Sequence, residues 1–459
     1  MSTPSVAPET AQRSLPLLPE AAADSLAAML GDEPVSRARL MREVLALAAR
    51  LPEGRPLLNL CSSRYQFALG LLAGICRGNL SLLPNSLAEG NIAALRERHP
   101  DLLCLSDQGS MPFDLPGLHV PARDPGGPTP EMPLIPDDRL VACVFTSGST
   151  GQPQAHLKRF GKLVRNVHSQ ADCLRALTGP GFSVLGTVPF QHMYGLESTV
   201  LLPLFGGGVL AAAKPFFPGD VADTLARLPV PRVLVTTPYH LRNLLESGTP
   251  VAPLACVMSA TAPLAVELAR QAESSLGAPL MEIYGSTETG QIATRRPTGG
   301  DAWTLHEGIR LHQGAEDLSQ VEGGHVEQPQ TLGDIVEKLD ERRFRLVGRH
   351  ADMINIAGKR SSIAFLNHIL LAIEGVRDGA FCLPREGEAA RLAAFVVAPG
   401  LRAAEITAAL RPHVDAAFLP RPIVFLDRLP RNATGKIMAA DMQALIARHI
   451  PASDHDAKA

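Results

Sequence analysis

The chain has 459 residues, which is enough for two or three domains and a large hydrophobic core. Hydrophobic residues make up 46% and charged residues 19% of the sequence, and a net charge of −3 gives no sign of a nucleic-acid or anionic-membrane partner. Aromatic residues, at 4%, are too scarce to indicate stacking platforms for single-stranded nucleic acid.

The seven cysteines are far apart and form no CxxC pair, so they indicate neither a zinc site nor a dithiol redox site. Scattered cysteines in odd number are typical of a reducing compartment. The first twenty residues lack an apolar core long enough for a signal peptide, and the most apolar later stretch, residues 198–213, is broken by proline and glycine. The sequence therefore predicts a cytoplasmic protein without a membrane span.

Residues 1–20 are predicted to form a flexible, proline-rich tail, and apolar residues at helical spacing predict an amphipathic helix over 37–51. Short apolar runs then alternate with helical patterns, and this alternation predicts parallel sheets covered by helices on both faces. The runs are residues 56–61, 80–84, 101–106, 182–190, 232–238, 254–260 and 279–285. Residues 291–331, by contrast, are glycine-rich and show few strand signals, which predicts a trimmed region.

The pattern changes after residue 346, where a polar, turn-like stretch precedes about a hundred residues with helix and strand signals of their own. A hinge is therefore predicted at 348–352, between an N-terminal domain of residues 21–347 and a C-terminal domain of residues 353–459. The predicted fold class is α/β. It combines a large N-terminal body of mixed and parallel sheets flanked by helices with a small, mobile C-terminal α+β domain.

Residues 146–154, TSGSTGQPQ, follow an apolar strand pattern and have the composition of a phosphate-binding loop. The glycines let backbone N–H groups approach oxygen atoms closely, and the hydroxyl groups add further donors. The stretch is not a Walker A sequence, which requires GxxxxGK[ST]. Taken alone, a surface turn explains its composition equally well.

Four further stretches carry chemical groups that suit a nucleotide. IYGSTETG sets Tyr284 and Glu288 around a glycine turn, where a tyrosine can stack on a flat ring and a carboxylate can hold Mg²⁺. Asp334 follows a glycine in TLGDIVEK and is suited to accept hydrogen bonds from a ribose. Arg349 lies at the predicted domain boundary, and Lys436 lies in the glycine turn of LPRNATGKI, where a flexible ammonium could reach a phosphate.

These five motifs, in this order and at these separations, resemble those of the acyl-adenylate-forming superfamily of acyl- and aryl-CoA ligases, adenylation domains and luciferases. The likeness spans roughly residues 56–437 and is greatest to the stand-alone acyl- and aryl-acid AMP ligases. It implies ATP- and Mg²⁺-dependent activation of an aryl or fatty acid to an acyl-adenylate. Transfer to a phosphopantetheine thiol would follow, carried either by coenzyme A or by an acyl carrier protein.

The resemblance also implies roles for individual residues. Tyr284 would stack on adenine, and Asp334 and Arg349 would bind the ribose hydroxyls. Thr287 and Glu288 would address the α-phosphate, with Glu288 also holding Mg²⁺. One loop would cradle the β- and γ-phosphates of ATP: Thr146, Ser147, Gly148, Ser149, Thr150 and Gly151.

Three more residues are assigned to the reacting groups by the same resemblance. Lys436 would contact the α-phosphate and the substrate carboxylate, and Gly358 would border the tunnel for the pantetheine thiol. His192, in VPFQHMYGLE, would lie in the acyl pocket, although a core histidine would be the simpler interpretation without the motif. Amino-acid adenylation domains carry an aspartate in this region, and none occurs between Asp172 and Asp220, which argues against an amino-acid substrate.

Two substitutions depart from the family's pattern. Gln154 replaces the usual loop lysine, and Lys158, on the same face of a predicted strand, is a candidate substitute. Ala351 stands at the hinge position that usually carries Asp or Lys. These changes motivate an alternative function, a catalytically impaired ATP- or AMP-binding module of the same fold, against which the retained Lys436 and Glu288 argue.

Other enzyme classes are disfavoured by the sequence. GGGVLA, residues 206–211, fits a dinucleotide-binding pattern but lacks the acidic residue about twenty positions on, so a turn between strands is predicted there. No GxSxG occurs to indicate a serine hydrolase, and no HExxH occurs to indicate a zinc enzyme.

Overall fold

The structure, a computed structural model, describes residues 13–84, 86–147, 153–314, 318–349, 353–356, 359–384, 391–432, 435 and 437–450. Within these residues the helices α1 to α12 are, in order, Arg37–Ala48, Arg64–Arg77, Glu89–Arg98, Phe160–Thr178, Met193–Gly195, Leu202–Phe205, Pro218–Arg227, Pro238–Glu246, Val266–Leu276, Ile363–Leu371, Ala403–Leu410 and Ala439–His449. A π-helical segment, Leu196–Leu201, joins α5 to α6 into one continuous helix.

The strands β1 to β14 are Ser14–Pro16, Leu26–Leu30, Glu33–Ser36, Leu57–Asn59, Ser81–Leu83, Leu103–Ser106, Gly117–His119, Leu134–Pro136, Leu140–Ser147, Pro153–Arg159, Ser183–Gly186, Val209–Ala211, Arg232–Thr236 and Cys256–Ser259. The strands β15 to β27 are Leu280–Ser286, Gly290–Arg295, Trp303–Leu305, Ile309–Gln313, Ser319–Gly323, Gln330–Thr331, Asp334–Lys338, Arg343–Arg349, Met353–Ile356, Lys359–Ser362, Asp378–Cys382, Ala393–Val397 and Ile423–Phe425.

Two large sheets form most of the fold. One has the strand order β10-β9-β5-β4-β6-β7, and the other has the order β21-β22-β17-β16-β15-β14-β13-β11-β12-β2-β3. The central strands of both sheets pair in parallel, and antiparallel pairs lie towards the edges. Helix α4 packs against β10, β14 and β16, and α9 packs against β15. The predicted α/β class, with mixed and parallel sheets flanked by helices, is confirmed.

The strands at the sheet centres are buried along their length. Every residue of β11 and of β14 is buried, which explains why both are read from the sequence as continuous apolar runs. The strands found at the seven predicted apolar runs are β4, β5, β6, β11, β13, β14 and β15. The predicted helix over 37–51 is α1, which begins after Ser36, whose side chain accepts a hydrogen bond from the amide of Arg39.

Residues after Met353 build hydrophobic cores of their own. Two clusters of buried side chains draw all their members from Ile354 to Ile446, whereas the clusters of the large sheets draw theirs from residues up to Phe344. Helix α10 nevertheless contacts β22, the last strand before the predicted hinge. Ala351 and Gly358 lie outside the described residues, and the hinge at 348–352 stays a prediction.

Two expectations from the sequence were wrong. The predicted tail of residues 1–20 is too long, because β1 pairs with β8 and the apolar side chains of Leu17 and Leu18 are 1% exposed within the main core. Residues 291–331 contain most of β16 and the whole of β17 to β20. Strands β17 to β19 bury alternate residues, as Ile309–Gln313 shows, so they lack the continuous apolar runs of the central strands. Strand β16 is buried along all but its last residue, but Gln291 and Thr294 interrupt its apolar residues.

Among the described residues, no helix is long and apolar enough to cross a membrane. Residues 206–208 form a turn, but it connects α6 to β12, so the predicted turn between two strands is wrong about the element that precedes it. Residues 209–211 are not part of the turn but form β12.

The helix that carries α5, the π-helical segment and α6 begins very close to the preceding chain. A Cβ atom placed on Gly195 would lie 2.0 Å from the carbonyl oxygen of Pro189. Only glycine permits this approach without a shift of the backbone, because any side chain would collide with a backbone atom that cannot rotate away. Gly195 therefore fixes where this helix starts relative to His192.

We expect Gly195→Ala to lower the free energy of unfolding by about 1–3 kcal/mol, because the added methyl group overpacks a backbone contact. Urea denaturation with a spectroscopic probe measures this difference. Gly219→Ala is the matched control, since a Cβ atom on Gly219, in the first turn of α7, meets no atom within 4 Å. Equal stability of the two variants would contradict the expectation.

Candidate active site

The turn between β15 and β16 presents Thr287 and Glu288. The amide of Ser286 donates a hydrogen bond to Thr289 Oγ1 at 3.0 Å, and the amide of Thr289 donates to Ser286 Oγ at 3.2 Å. Gly290, with φ of +70°, reverses the chain into β16. Hydroxyl side chains that bond to nearby backbone groups hold such turns in one conformation. We refer to residues 286–290 as the STETG turn.

The predicted phosphate loop lies between β9 and β10, whose pairing sets Ser147 opposite Pro153. Gly148, Ser149, Thr150 and Gly151 lie outside the described residues, as does the side chain of Ser147. Thr146 is described, and its Oγ1 lies 3.0 Å from His156 Nε2.

His156 connects this loop to the STETG turn. The same Nε2 atom lies 3.5 Å from Glu288 Oε1, so one imidazole contacts both the first residue of the phosphate loop and the predicted magnesium ligand. His156 lies on β10 and was not among the residues assigned from the sequence. Its alternation with Lys158 along the strand was the available signal, but nothing in the sequence indicated that the strand faces the STETG turn.

Glu288 is held in its ionised form. Burial alone would raise the pKa of its carboxyl group, but a hydrogen bond from Ser286, its own backbone and the nearby charges of His156 and Lys158 outweigh that effect and lower the pKa. Burial is the main cause that lowers the pKa of His156, and the Glu288 carboxylate opposes it. An ionised carboxylate beside hydroxyl groups is the donor set that suits Mg²⁺, so Glu288 fits the predicted ion.

Tyr284 and Asp334 meet on the other side of β15. The hydroxyl group of Tyr284 donates to Asp334 Oδ2 at 2.7 Å, and its ring lies 5.5 Å from that of Trp303 and 5.6 Å from that of Phe344. Asp334 pairs across the β21–β22 ladder with Arg349, whose side chain lies outside the described residues. Tyr284 and Asp334, predicted to bind adenine and ribose, therefore come together from strands that lie 50 positions apart in sequence.

His192 is half-buried and precedes the first residue of α5. Two residues later, the hydroxyl group of Tyr194 donates to the carbonyl oxygens of Thr236 and Met258, each at 3.2 Å. Those residues lie at the carboxyl ends of β13 and β14, which is where parallel α/β sheets place their ligands. Tyr194 thus ties the segment of His192 to the predicted acyl pocket.

A second histidine on this side was missed by the sequence analysis. His240 is buried, and its Nδ1 lies 3.2 Å from both Thr187 Oγ1 and Thr237 Oγ1, at the ends of β11 and β13. Burial lowers the pKa of His240, which favours the neutral imidazole. His240 lies in the first turn of α8, four residues after the end of β13, and no sequence motif there indicates a functional histidine.

Gly435, the residue before Lys436, lies next to this region. A Cβ atom on Gly435 would lie 3.5 Å from Tyr239 Cβ, and the carbonyl oxygen of Gly435 accepts a hydrogen bond from Arg431 at 2.8 Å. Arg431 is in turn paired with Asp378. Lys436 itself lies outside the described residues. The described neighbour of the predicted catalytic lysine therefore lies at the start of α8, beside the carboxyl end of β13.

Lys158 lies beneath the STETG turn and not in the phosphate loop. Strand β10 does place Gln154, His156 and Lys158 on one face, as predicted, but Gln154 is exposed whereas Lys158 is only 4% exposed. The ammonium group of Lys158 donates to the carbonyl oxygen of Thr287 at 2.5 Å and to that of Glu288 at 3.1 Å. With its hydrogen bonds made to the turn, Lys158 is not placed to take over the phosphate contact of the missing loop lysine.

Glu197 is a buried carboxylate near Lys158. It lies in the π-helical segment, is 2% exposed, and accepts a hydrogen bond from the side-chain amide of Asn166. Burial raises the pKa of Glu197 to about 7, and the charge of Lys158 is the largest effect that opposes the rise. A charged residue inside the apolar run that follows Gly195 was the sequence signal for this group.

The chain matches a family model described as AMP-binding enzyme over residues 57–316. It is 30% identical over 295 residues to a 4-coumarate–CoA ligase of Rhodobacter capsulatus, covering 63% of this chain and 73% of that protein. It is 27% identical over 420 residues to a p-hydroxybenzoic acid–AMP ligase of Mycobacterium tuberculosis, covering 80% of this chain and 58% of that protein.

Solved structures share the fold. The o-succinylbenzoate–CoA synthetase of Bacillus subtilis, in complex with its acyl-adenylate intermediate, has a TM-score of 0.76 at 21% identity, covering 91% of this chain and 95% of that one. ATP-bound MatB from Rhodopseudomonas palustris has a TM-score of 0.77 at 19% identity, covering 92% and 96% of the two chains.

The chain therefore belongs to the AMP-binding enzyme family, and the predicted membership of the acyl-adenylate-forming superfamily is confirmed. The predicted enzyme class, an AMP-forming acid–thiol ligase, is confirmed with it. The roles of the individual site residues stay predictions.

We expect Glu197 to make stability depend on pH. The pKa of about 7 in the folded protein is above the ordinary value of 4.5, so the stabilisation that Glu197 contributes is fully present below pH 4.5 and is lost as pH rises through 7. Between pH 5 and 8, the free energy of unfolding of the wild type should fall by about 3 kcal/mol relative to that of Glu197→Gln.

Urea denaturation of both proteins at several pH values measures this difference. Glu341→Gln is the control, because the side chain of Glu341 is 92% exposed. The difference in the free energy of unfolding between this variant and the wild type should not change with pH. A pH-independent difference for Glu197→Gln would show that this carboxyl group titrates alike in the folded and unfolded chains.

Proposed function

We propose that this enzyme uses MgATP to activate an aryl or fatty acid as its acyl-adenylate. It then transfers the acyl group to the phosphopantetheine thiol of coenzyme A or of an acyl carrier protein. The observation that carries the proposal is the connection of Thr146, His156 and Glu288, which sets an ionised carboxylate next to the start of the phosphate loop. The pairing of Tyr284 with Asp334 supports a nucleoside site beside it.

In the first step, an oxygen of the substrate carboxylate attacks the α-phosphorus of ATP. The new bond is the acyl–phosphate bond, and the bond to the β-phosphate oxygen breaks, so pyrophosphate leaves with its electron pair. Bound Mg²⁺ would neutralise charge on the phosphate oxygens, and Glu288 is the described residue that would hold it. Thr146 would bind the leaving phosphates, and Lys436 would stabilise charge at the α-phosphate.

Orientation of the nucleotide falls to residues from three strands. Tyr284 would present its ring to adenine, while Asp334, which already accepts one hydrogen bond from Tyr284, retains acceptor capacity for the ribose hydroxyls. Arg349, opposite Asp334 in the ladder, would add a second contact to the ribose. Holding the nucleotide in this way converts the reaction of two bound molecules into an effectively unimolecular step.

In the second step, the thiol attacks the acyl carbon, the thioester bond forms, and AMP leaves. We infer that residues 353–459 form a separate C-terminal domain that turns about a hinge at 348–352 between the two steps, withdrawing Lys436 from the site. The separate hydrophobic cores on either side of that segment support this division. Gly358 would then border the path of the pantetheine arm.

An aryl acid is the substrate class to test first. Named relatives act on 4-coumarate and on p-hydroxybenzoate, and the predicted pocket of this chain contains His192, Met193 and Tyr194. No aspartate occurs between Asp172 and Asp220 to bind an amino group. Phe190, whose ring centroid lies 4.9 Å from that of Phe67, is fully buried two residues before His192. These side chains offer an apolar and aromatic surface to a flat ring.

We expect ATP–pyrophosphate exchange that depends on an added acid, tested across benzoates, cinnamates and short to long fatty acids. Lys436→Ala should lower the exchange rate by roughly 10²–10³-fold, because one electrostatic donor to the transition state is lost. Lys359→Ala, which removes an exposed lysine paired with Asp415, is the control and should retain exchange. ATP binding without exchange for any acid would instead support the impaired nucleotide-binding module.

A further inference from the structure

Strand β10 carries a buried lysine for which the proposed reaction has not yet accounted. Lys158 is 4% exposed, and its ammonium group donates to the carbonyl oxygens of Thr287 and Glu288. Lysine is almost never this buried unless its charge is paired and its hydrogen bonds are made. The hydrogen bonds of Lys158 are made here, and the buried carboxylate of Glu197 lines the same small cavity.

The two carbonyl groups belong to the residues predicted to meet the α-phosphate and Mg²⁺. The hydroxyl groups of Ser286 and Thr289 satisfy other backbone groups of the STETG turn, and Thr289 Oγ1 donates to the carbonyl of Gly290 at 2.7 Å. The carbonyls of Thr287 and Glu288 receive the ammonium group. Without it, two partly buried acceptors would lose a charged donor, and the turn could relax to find other partners.

The carboxylate of Glu197 faces the small cavity that Lys158 and the end of the STETG turn also line, and a Cβ atom on Gly290 would lie 2.8 Å from Glu197 Oε1. Burial lowers the pKa of Lys158, and the carboxylates of Glu197, Glu327 and Glu288 oppose that effect. Glu327 is already bonded to the amide and the guanidinium group of Arg159, both at 2.7 Å. Glu197, buried in the π-helical segment, is therefore the main counter-charge.

Lys158 and His156 act on the STETG turn from one strand. They are two residues apart on β10 and so share a face of it. His156 contacts the carboxylate of Glu288, and Lys158 contacts the backbone carbonyl of the same residue. Together they fix both the backbone and the side chain of Glu288 relative to Thr146, where the phosphate loop begins.

We propose that Lys158 is a positioning residue, which holds the backbone of Thr287 and Glu288 so that the Glu288 carboxylate meets the magnesium ion of MgATP. The inference rests on the proposed function, since it assigns to Lys158 a part in nucleotide binding at the same site. The proposal also assigns a role to the basic residue Lys158 of β10 in a chain that carries Gln154 in place of the usual loop lysine.

The test compares binding of ATP with and without magnesium, by isothermal titration calorimetry, in wild type and Lys158→Met. Methionine preserves the apolar length of the side chain and removes the ammonium group. We expect the Kd for ATP in the presence of Mg²⁺ to rise roughly tenfold, because the charged hydrogen bonds that position Glu288, the predicted magnesium ligand, are lost. The Kd for ATP in EDTA should stay within about twofold, since no lost bond touches the nucleotide directly.

Lys162→Met is the matched control. The ammonium group of Lys162 also donates to two backbone carbonyls, those of Gly324 and Val326, each at 3.0 Å, and it lines the same small cavity as Lys158. It makes no hydrogen bond to the STETG turn. Lys162→Met should therefore bind MgATP within about twofold of wild type, whereas an equal loss in both variants would overturn the positioning role.

A second variant keeps the test decisive if Lys158→Met does not fold, which circular dichroism would reveal. Lys158→Gln retains one donor but is shorter and uncharged, and the same selective loss of magnesium-dependent binding is expected. Unchanged MgATP binding in a folded Lys158 variant would overturn the positioning proposal while leaving the proposed function intact. Wild type that neither binds MgATP nor exchanges pyrophosphate would defeat the proposed function itself.

Discussion

The candidate site depends on one junction, where β10 of the six-stranded sheet meets the turn between β15 and β16 of the eleven-stranded sheet. His156 and Lys158 make that junction with polar contacts to Glu288 and to the carbonyl of Thr287. Two sheets joined only by apolar packing could slide by fractions of an ångström at little cost. Directional hydrogen bonds to a turn oppose such sliding, and they hold Glu288, the predicted magnesium ligand, at a fixed separation from Thr146, the first residue of the predicted phosphate loop.

The fold was largely predictable because its main signals are local. Strands buried on both faces appear as short apolar runs, and the helices between them follow their own periodicity. Strands β17 to β19 were missed because they expose one face, so polar residues interrupt their apolar runs. Strand β16 was missed because the buried polar residues Gln291 and Thr294 interrupt its run. The burial of Leu17 and Leu18 was not predicted, because a short apolar pair within a proline-rich stretch gives no indication of the sheet against which it packs.

The residues of the candidate site also fall into those that could be predicted from the sequence and those that could not. Tyr284, Glu288 and Asp334 could be assigned by resemblance because each stands in a motif, and the structure brings Tyr284 and Asp334 into contact. His156 and Glu197 could not be assigned, since their partners lie 132 and 39 positions away in sequence, at Glu288 and Lys158. The role of a buried charged residue can be inferred only when its counter-charge is known, and that pairing is visible only in the folded chain.

The burial of Lys158 has a consequence for how the enzyme responds to its medium. Dissolved ions screen exposed charges over about 8–10 Å at ordinary ionic strength, but they screen a buried pair much less. A lysine at the exposed position 154 would lose much of its electrostatic influence as salt rises, whereas Lys158, 4% exposed, keeps its own. The positive charge of Lys158 therefore acts on the STETG turn with little dependence on salt.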